Sequence, residues 1–247
     1  MNSDSATPFR HNEGSTTSSF RLLPSSFKPY PAYKPSGIEW LGGIPEHWEV
    51  KRLKLVAHIN DDVLSEATDP SYELRYLDIG NVNDRGQILA IDEISFEAAP
   101  SRARRVVRAG DTIISTVRTY LKAIGFLEAP EPNLIVSTGF AVLCPKSILN
   151  SKFLFWLVSS PNFVDAVVSH SEGVGYPAIN PATLAALPMW YPDVTQQRAI
   201  ANFLDRDTAK IDALVDKVHE AVERLKEYRT ALISAAVTGK IDVRKQA

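Results

Sequence analysis

A single cysteine in 247 residues excludes an intramolecular disulfide and any cage of thiolate metal ligands. That residue, Cys144, follows the apolar run Phe140-Ala141-Val142-Leu143 and reads as a buried strand thiol. Histidine is nearly as sparse. His11, His47, His58, His170 and His219 form no H-x-x-x-H pair and none neighbours Cys144, so no metal site is expected. His47, between Glu46 and Trp48, suits a surface or hydrogen-bonded role. No stretch approaches the roughly 18 apolar residues of a membrane span. The first 28 residues are polar and rich in Ser and Thr, without the apolar core of a secretory signal. The expectation is a soluble, cytoplasmic chain with no membrane partner, opening on a disordered arm at 1–28.

Signatures of catalysis are missing too. There is no GxxxxGK[ST] loop to cradle phosphates and no GxGxxG after a strand. The Asn/Asp-Pro-Pro-aromatic motif with which DNA amino-methyltransferases hold an extruded base has only a poor match. Asn180-Pro181-Ala182-Thr183 lacks the second proline and the aromatic, and reads as a turn and helix start. A metal-dependent nuclease needs clustered carboxylates with a lysine. Asp111, after Gly110, is a lone carboxylate better suited to a turn. No catalytic residue is assigned.

What remains is a chain that is 45% hydrophobic, enough for one cored domain with an appendage. Pro and Gly residues in "YPAYKPSGIEWLGGIPEHWEVKRLK" forbid a long helix while Trp40 and Trp48 want burial, so this stretch should run extended onto the domain. A short amphipathic segment follows at Val50 to Ile59. From Leu74 to Pro145, β-branched runs bounded by turn residues predict strands, with a hairpin around Asn83-Asp84-Arg85-Gly86. "NSKFLFWLVSSPNFVDAVVSH" predicts two short helices split at Pro161, the first capped by Asn150 or Ser151.

The last segment differs from everything before it. After the short strand in "ALPMWYPDV", no Pro or Gly interrupts Thr195 to Thr238. Asp193 with Gln196 suggests a capping box, and Gly239 a stop. Leu204, Ile211, Val218, Leu225 and Leu232 recur every seven residues, with Leu214, Ala221, Tyr228 and Ala235 between them. That is a heptad seam on a helix of roughly 60 Å. No second heptad segment exists in the sequence to cover it, so an intermolecular coiled coil is expected. The division is an arm at 1–28, a mixed α/β (α+β) domain at 29–193, a long helix at 194–238 and a tail at 239–247.

Net charge is −2, which by itself argues against a nucleic-acid partner. The basic residues are nonetheless clustered. Arg102, Arg104, Arg105 and Arg108 fall within seven positions, Arg118, Tyr120 and Lys122 follow the strand-like "IISTV", and Asn81, Asn83 and Arg85 occupy the predicted hairpin. Arginine forks grip phosphates or guanine edges and asparagine amides do the same for adenine. The competing role for the arginines is a solvated face, or ion pairs to Glu93, Glu97 and Asp111.

Two long stretches resemble a known family. "SGIEWLGGIPEHWEVKRLK" (Ser36 to Lys54) resembles the opening of target recognition domains in Type I restriction–modification specificity subunits. "QQRAIANFLDRDTAKIDALVDKVHEAVERLKEYRTALISAAVTGKIDVR" resembles the helical region that follows such a domain. "GDTIISTVRTYLKAIG", "VSTGFAVLCP" and "GVGYPAIN" look like landmarks between them, so the likeness runs from about Tyr33 to Arg244. Two departures stand out. Thr195-Gln196-Gln197 follows Tyr191-Pro192 where the family usually places Glu-Gln after a double proline. A full-length member has two recognition domains and two such helices, whereas this sequence has one of each, a half-subunit form.

The resemblance implies a non-catalytic reader of double-stranded DNA whose long helix spaces two readers apart. It implies methylation subunits carrying S-adenosylmethionine, a restriction subunit using ATP and Mg, and no cofactor in this chain. It also implies a second half-subunit, with a homodimer reading an interrupted palindrome. The expected DNA contacts are Arg102, Arg104, Arg105, Arg118, Tyr120, Lys122, Asn81, Asn83 and Arg85, with Ser171, Glu172 and Tyr176 of "SHSEGVGYP" as a further set. The expected helix interface is Ile211, Leu214, Val218, Leu225, Tyr228 and Leu232. The alternatives are a coiled-coil adaptor whose globular part binds protein, which net acidity favours, and a truncated subunit that no longer assembles.

Overall fold

The structure is a computed structural model and describes residues 27–245, so the arm expected at 1–28 lies almost wholly outside the described residues. Chain order begins with a hairpin, β1 (Tyr33–Pro35) and β2 (Gly43–Pro45). The segment Val50 to Ile59 splits into β3 (Glu49–Arg52), one helical turn α1 (Leu53–Val56) and β4 (Ala57–Ile59). Then come β5 (Glu73–Leu77), β6 (Asp92–Ser95), β7 (Ala103–Val106), β8 (Thr112–Ser115), β9 (Ile124–Phe126), β10 (Leu134–Ser137) and β11 (Phe140–Pro145). Helices α2 (Ser151–Val158), α3 (Pro161–Ser169) and α4 (Pro181–Ala186), strand β12 (Pro188–Tyr191) and helix α5 (Val194–Val237) complete the fold.

Two four-stranded sheets make the body of the domain. One has the order β6-β5-β10-β7, with β5 and β10 parallel, and the other is an antiparallel β4-β11-β8-β9. The second sheet is covered on both sides, which is why "FAVLC" shows no polar alternation. Along β11, Phe140 and Val142 point into the core between the sheets, while Ala141 and Leu143 point to the helices. Ile113 and Ile114 of β8 divide the same way. The inter-sheet core also takes Leu77, Leu134 and Val136, and the helix-side core takes Phe153, Leu154, Leu157, Phe163 and Val167. Cys144, at the end of β11, is half-buried rather than enclosed. Asp111 is buried in the turn before β8, where its carboxylate accepts the Arg108 N–H at 2.8 Å.

Helix boundaries follow their caps. Asn150 accepts from the Phe153 N–H at 3.0 Å, and Ser160 precedes Pro161, which sits where its missing N–H costs nothing. Strand β12 pairs antiparallel with β3, Tyr191 opposite Glu49, so the chain leaves the domain beside the point where it entered. Asp193 then caps α5 through the Gln196 N–H at 3.0 Å. The Gln196 side chain does not close a capping box. Its Oε1 accepts from His47 Nε2 at 2.8 Å and its Nε2 donates to the Tyr30 hydroxyl at 3.0 Å.

At 44 residues α5 is about 65 Å long. Only its beginning is docked. Gln197 and Ala201 are buried, Trp156 donates its indole N–H to Asp205 at 2.8 Å, and Arg85 pairs with Asp216 at 2.9 Å. Beyond Asp216 almost every side chain of the helix is exposed. Gly239, at φ +70, ends it while Lys240 N–H returns to the Ala235 carbonyl at 2.8 Å.

Candidate nucleic-acid interface

A cleft of about 1050 Å³ opens at the end of the two sheets. One wall is the turn after β5, Asp78 to Asn83. The other is formed by Val117, Arg118 and Leu121, with Thr138 and Gly139 between β10 and β11 at the floor and Tyr176 at the rim. Of the twelve residues expected at DNA, it gathers Asn81, Asn83, Arg102, Arg118 and Tyr176. Gly139 packs close to Ile79; a Cβ there would stand 2.2 Å from Ile79 Cδ1, and that side chain would have to turn away.

The rim is built by two loops tied to each other. Val117 bridges to Ala178, the Arg118 N–H donates to the Pro177 carbonyl at 2.7 Å, and the hydroxyls of Thr119 and Ser171 meet at 2.9 Å. Glu172 closes its own loop by a two-way backbone pair with Ala178. Arg118 and Lys122 both have left-handed backbones, at φ 52 and φ 56, flanking a 3-10 turn at Thr119–Leu121. Such conformations are disfavoured for residues with a Cβ and persist where surrounding bonds hold them. Between them Tyr120 and Leu121 are exposed, and Val174 at the tip of the opposite loop is fully so.

The arginines fall into two groups. Arg102 donates to the Tyr76 hydroxyl at 2.9 Å and to the Asp78 carboxylate. Arg75 sits between Glu93 and Glu131, and Arg108 pairs with Asp62 at 2.5 Å. The ion pairs thus form, but mostly with carboxylates other than Glu93, Glu97 and Asp111. Arg104 lies over the Phe96 ring at 4.7 Å. Arg105 is half-buried on β7 with its Nε unpartnered, and burial pushes its guanidinium down from its ordinary value. Arg118 alone of the cleft arginines has no carboxylate among the described residues; its guanidinium lies over the Tyr176 ring at 4.4 Å.

The hairpin residues are engaged within the chain. The Asn83 oxygen accepts from the N–H groups of Arg85 and Gln87, and its amide donates to Gln87 Oε1 at 2.8 Å. Arg85 faces α5, not the cleft, and shares a smaller groove with Lys122, Trp156 and Asp212. The six seam residues of α5 are all exposed, from Leu232 at 45% to Leu225 and Tyr228 at 66%. Among the described residues no cluster of three or more His, Cys, Asp or Glu could hold a metal, and no helix is long and apolar enough to cross a membrane.

A family model for the Type I restriction modification DNA specificity domain matches residues 45–224, which includes the cleft and most of α5. The chain belongs to this family. Among members of the Type I specificity family, it is 24% identical to the MjaVIII specificity subunit of Methanocaldococcus jannaschii over 212 residues, 83% of this chain and 48% of that one. It is 28% identical to the EcoKI specificity subunit of Escherichia coli K12 over 208 residues, 81% and 44% of the two chains. Its fold is similar to the HsdS subunit of Thermoanaerobacter tengcongensis, with a TM-score of 0.58, 31% identity, and coverage of 75% of this chain and 46% of that one. A second solved chain, from work on complex assembly and conformational transition of the type I R-M system, gives a TM-score of 0.60 at 29% identity, covering 78% and 48%. The chain therefore spans about half the length of the curated relatives it matches.

Some residues of the specificity-domain cleft had no signal in the sequence. Asp78 and Thr138 carry no pattern of their own and reach the cleft only through sheet pairing. Gln197, buried at the root of the helix, reads in the sequence as one of a polar pair.

Proposed function

We propose that this chain is a DNA-reading specificity subunit, which catalyses nothing itself and directs adenine methylation and restriction by partner subunits. The observation that carries this reading is the pairing of a rim-lined cleft holding an uncompensated arginine with a helix whose apolar seam, Ile211 to Leu232, is exposed. In water an apolar stripe of this length favours burial against another helix. In this reading a second copy supplies that helix and the pair holds two identical clefts about a two-fold axis, which matches a target made of inverted half-sites. S-adenosylmethionine belongs to the methylation subunits, and ATP and Mg to the restriction subunit, all in the cytoplasm.

The test is reconstitution of the chain with methylation subunits of its own system and S-adenosylmethionine on duplex DNA. Methylation confined to an interrupted palindrome, with affinity falling steeply as salt rises, is the expected result. A target with two unlike halves would remove the homodimer. Salt-independent binding, or no recruitment of methylation subunits, would favour the protein-binding adaptor.

A further inference from the structure

We propose that Arg118 reads a guanine in the major groove of the target, and that Tyr176 is the positioning residue that aims it. This rests on the DNA reading above and assigns it a specificity-determining side chain.

Most arginines near the cleft are already engaged. Arg102, Arg75, Arg108 and Arg85 each already face a carboxylate in the chain. An arginine so compensated must give up its partner before it can serve a phosphate or a base, and the exchange gains little. Arg104 spends one N–H on the Ala103 carbonyl and lies on Phe96. Arg118 is exposed, lines the cleft, and makes no side-chain hydrogen bond or ion pair with the described residues.

Its geometry favours a base over a phosphate. Stacking on Tyr176 at 4.4 Å covers one face of the guanidinium and leaves the N–H donors on its edge free. Guanine offers O6 and N7 as two acceptors at the spacing of that fork, whereas adenine places an N–H2 donor beside N7. The aim is also held in advance. Arg118 and Tyr176 stand on loops joined by the Arg118–Pro177 bond, the Val117–Ala178 bridge and the Thr119–Ser171 contact. A fork fixed before binding loses less side-chain freedom on contact, which matters for base discrimination far more than for a phosphate that any mobile lysine could neutralise. Asn83, by contrast, has committed its amide to its own turn.

The experiment is selection from a library of random-sequence DNA duplexes by the full chain, comparing wild type with Arg118→Lys, Tyr176→Leu and Tyr176→Phe. Wild type is expected to enrich a motif containing a guanine in each half-site. Arg118→Lys should lose that one preference by roughly 5- to 150-fold and keep the rest of the motif. Tyr176→Leu should weaken the same position, and Tyr176→Phe, which keeps the ring, should restore it. On the wild-type chain, 7-deazaguanine at that position should mimic Arg118→Lys, an arm that needs no altered protein. An unchanged motif in Arg118→Lys would overturn the proposal alone, and a salt slope shallower by about one in Arg118→Ala would then make Arg118 a phosphate contact. A wild-type chain that enriches no motif would overturn both this assignment and the DNA reading beneath it.

Discussion

The side-chain oxygen of Gln197 accepts the backbone N–H of Asn150 at 2.7 Å, joining the first turn of the long helix to the residue that caps α2. The same amide donates to the carbonyls of Ile148 at 3.0 Å and Pro192 at 2.8 Å, and the side chain is fully buried. Gln197→Ala would strand one buried and two part-buried backbone groups, so a loss of about 2–4 kcal/mol is expected in urea unfolding. Gln197→Glu should lose more at neutral pH, because a carboxylate cannot donate to either carbonyl. A loss under about 0.5 kcal/mol in both variants would show that this junction does not hold the helix.

The seam on α5 makes a prediction about mass. Val218 and Leu225 are 60% and 66% exposed, so an aspartate at either place disturbs nothing within one chain. Light scattering should show wild type at about twice 27.3 kDa and Val218→Asp or Leu225→Asp at the monomer mass, with the unfolding midpoint of the domain unchanged. A wild-type monomer at micromolar concentration would leave the seam without its proposed partner.

Burial raises the Asp111 carboxyl above its ordinary value near 3.8, outweighing the opposing pull of the Arg108 N–H, the Cys144 thiol and the Arg108 charge. The fold therefore holds this proton more tightly than the unfolded chain does. Stability from the group is full below about 3.8 and is lost as pH rises through the raised value. Asp111→Asn keeps an acceptor for Arg108 and removes the buried charge. Its advantage over wild type should be absent near pH 4 and present at pH 7. Thermal unfolding at the two values checks this, and an advantage of equal size at both would contradict it.

Arg85 can serve the helix or the DNA, and two substitutions separate the roles. If its pairing with Asp216 is what matters, Asp216→Ala and Arg85→Ala should change DNA affinity alike, through the set of the domain on the helix. If Arg85 leaves that pair to meet a phosphate, only Arg85→Ala should weaken binding and reduce the salt slope by about one. The geometry here favours the first result.

The elements most legible in the sequence were those with local causes. Asp193, Asn150 and Gly239 announced the ends of their helices through side-chain or backbone chemistry within a few residues, and the seven-residue period of α5 needed no tertiary information. The division of Phe140-Ala141-Val142-Leu143 between two cores was not legible, because a strand covered on both faces loses the alternation that marks an inside and an outside. Site residues were the least legible. The Arg85–Asp216 pair joins positions 131 apart, and Arg102 finds Asp78 only because β5, β10 and β7 lie side by side. Sequence clustering grouped Arg102 with Arg104, Arg105 and Arg108 and set Arg118 apart with Tyr120 and Lys122, yet in space Arg102 and Arg118 share the cleft, and of the two only Arg118 faces no carboxylate among the described residues.

The pairing of β3 with β12 makes everything between them a closed excursion, which starts and finishes at neighbouring points on one short ribbon. Such a segment is a cassette. It could be exchanged for another reader without changing where the helix begins, provided the replacement carries its own socket for Gln197 and a donor for Asp205, the roles that Ile148, Asn150 and Trp156 fill here. Under the proposed DNA reading, swapping whole excursions would change the target sequence while leaving the start of the helix in place.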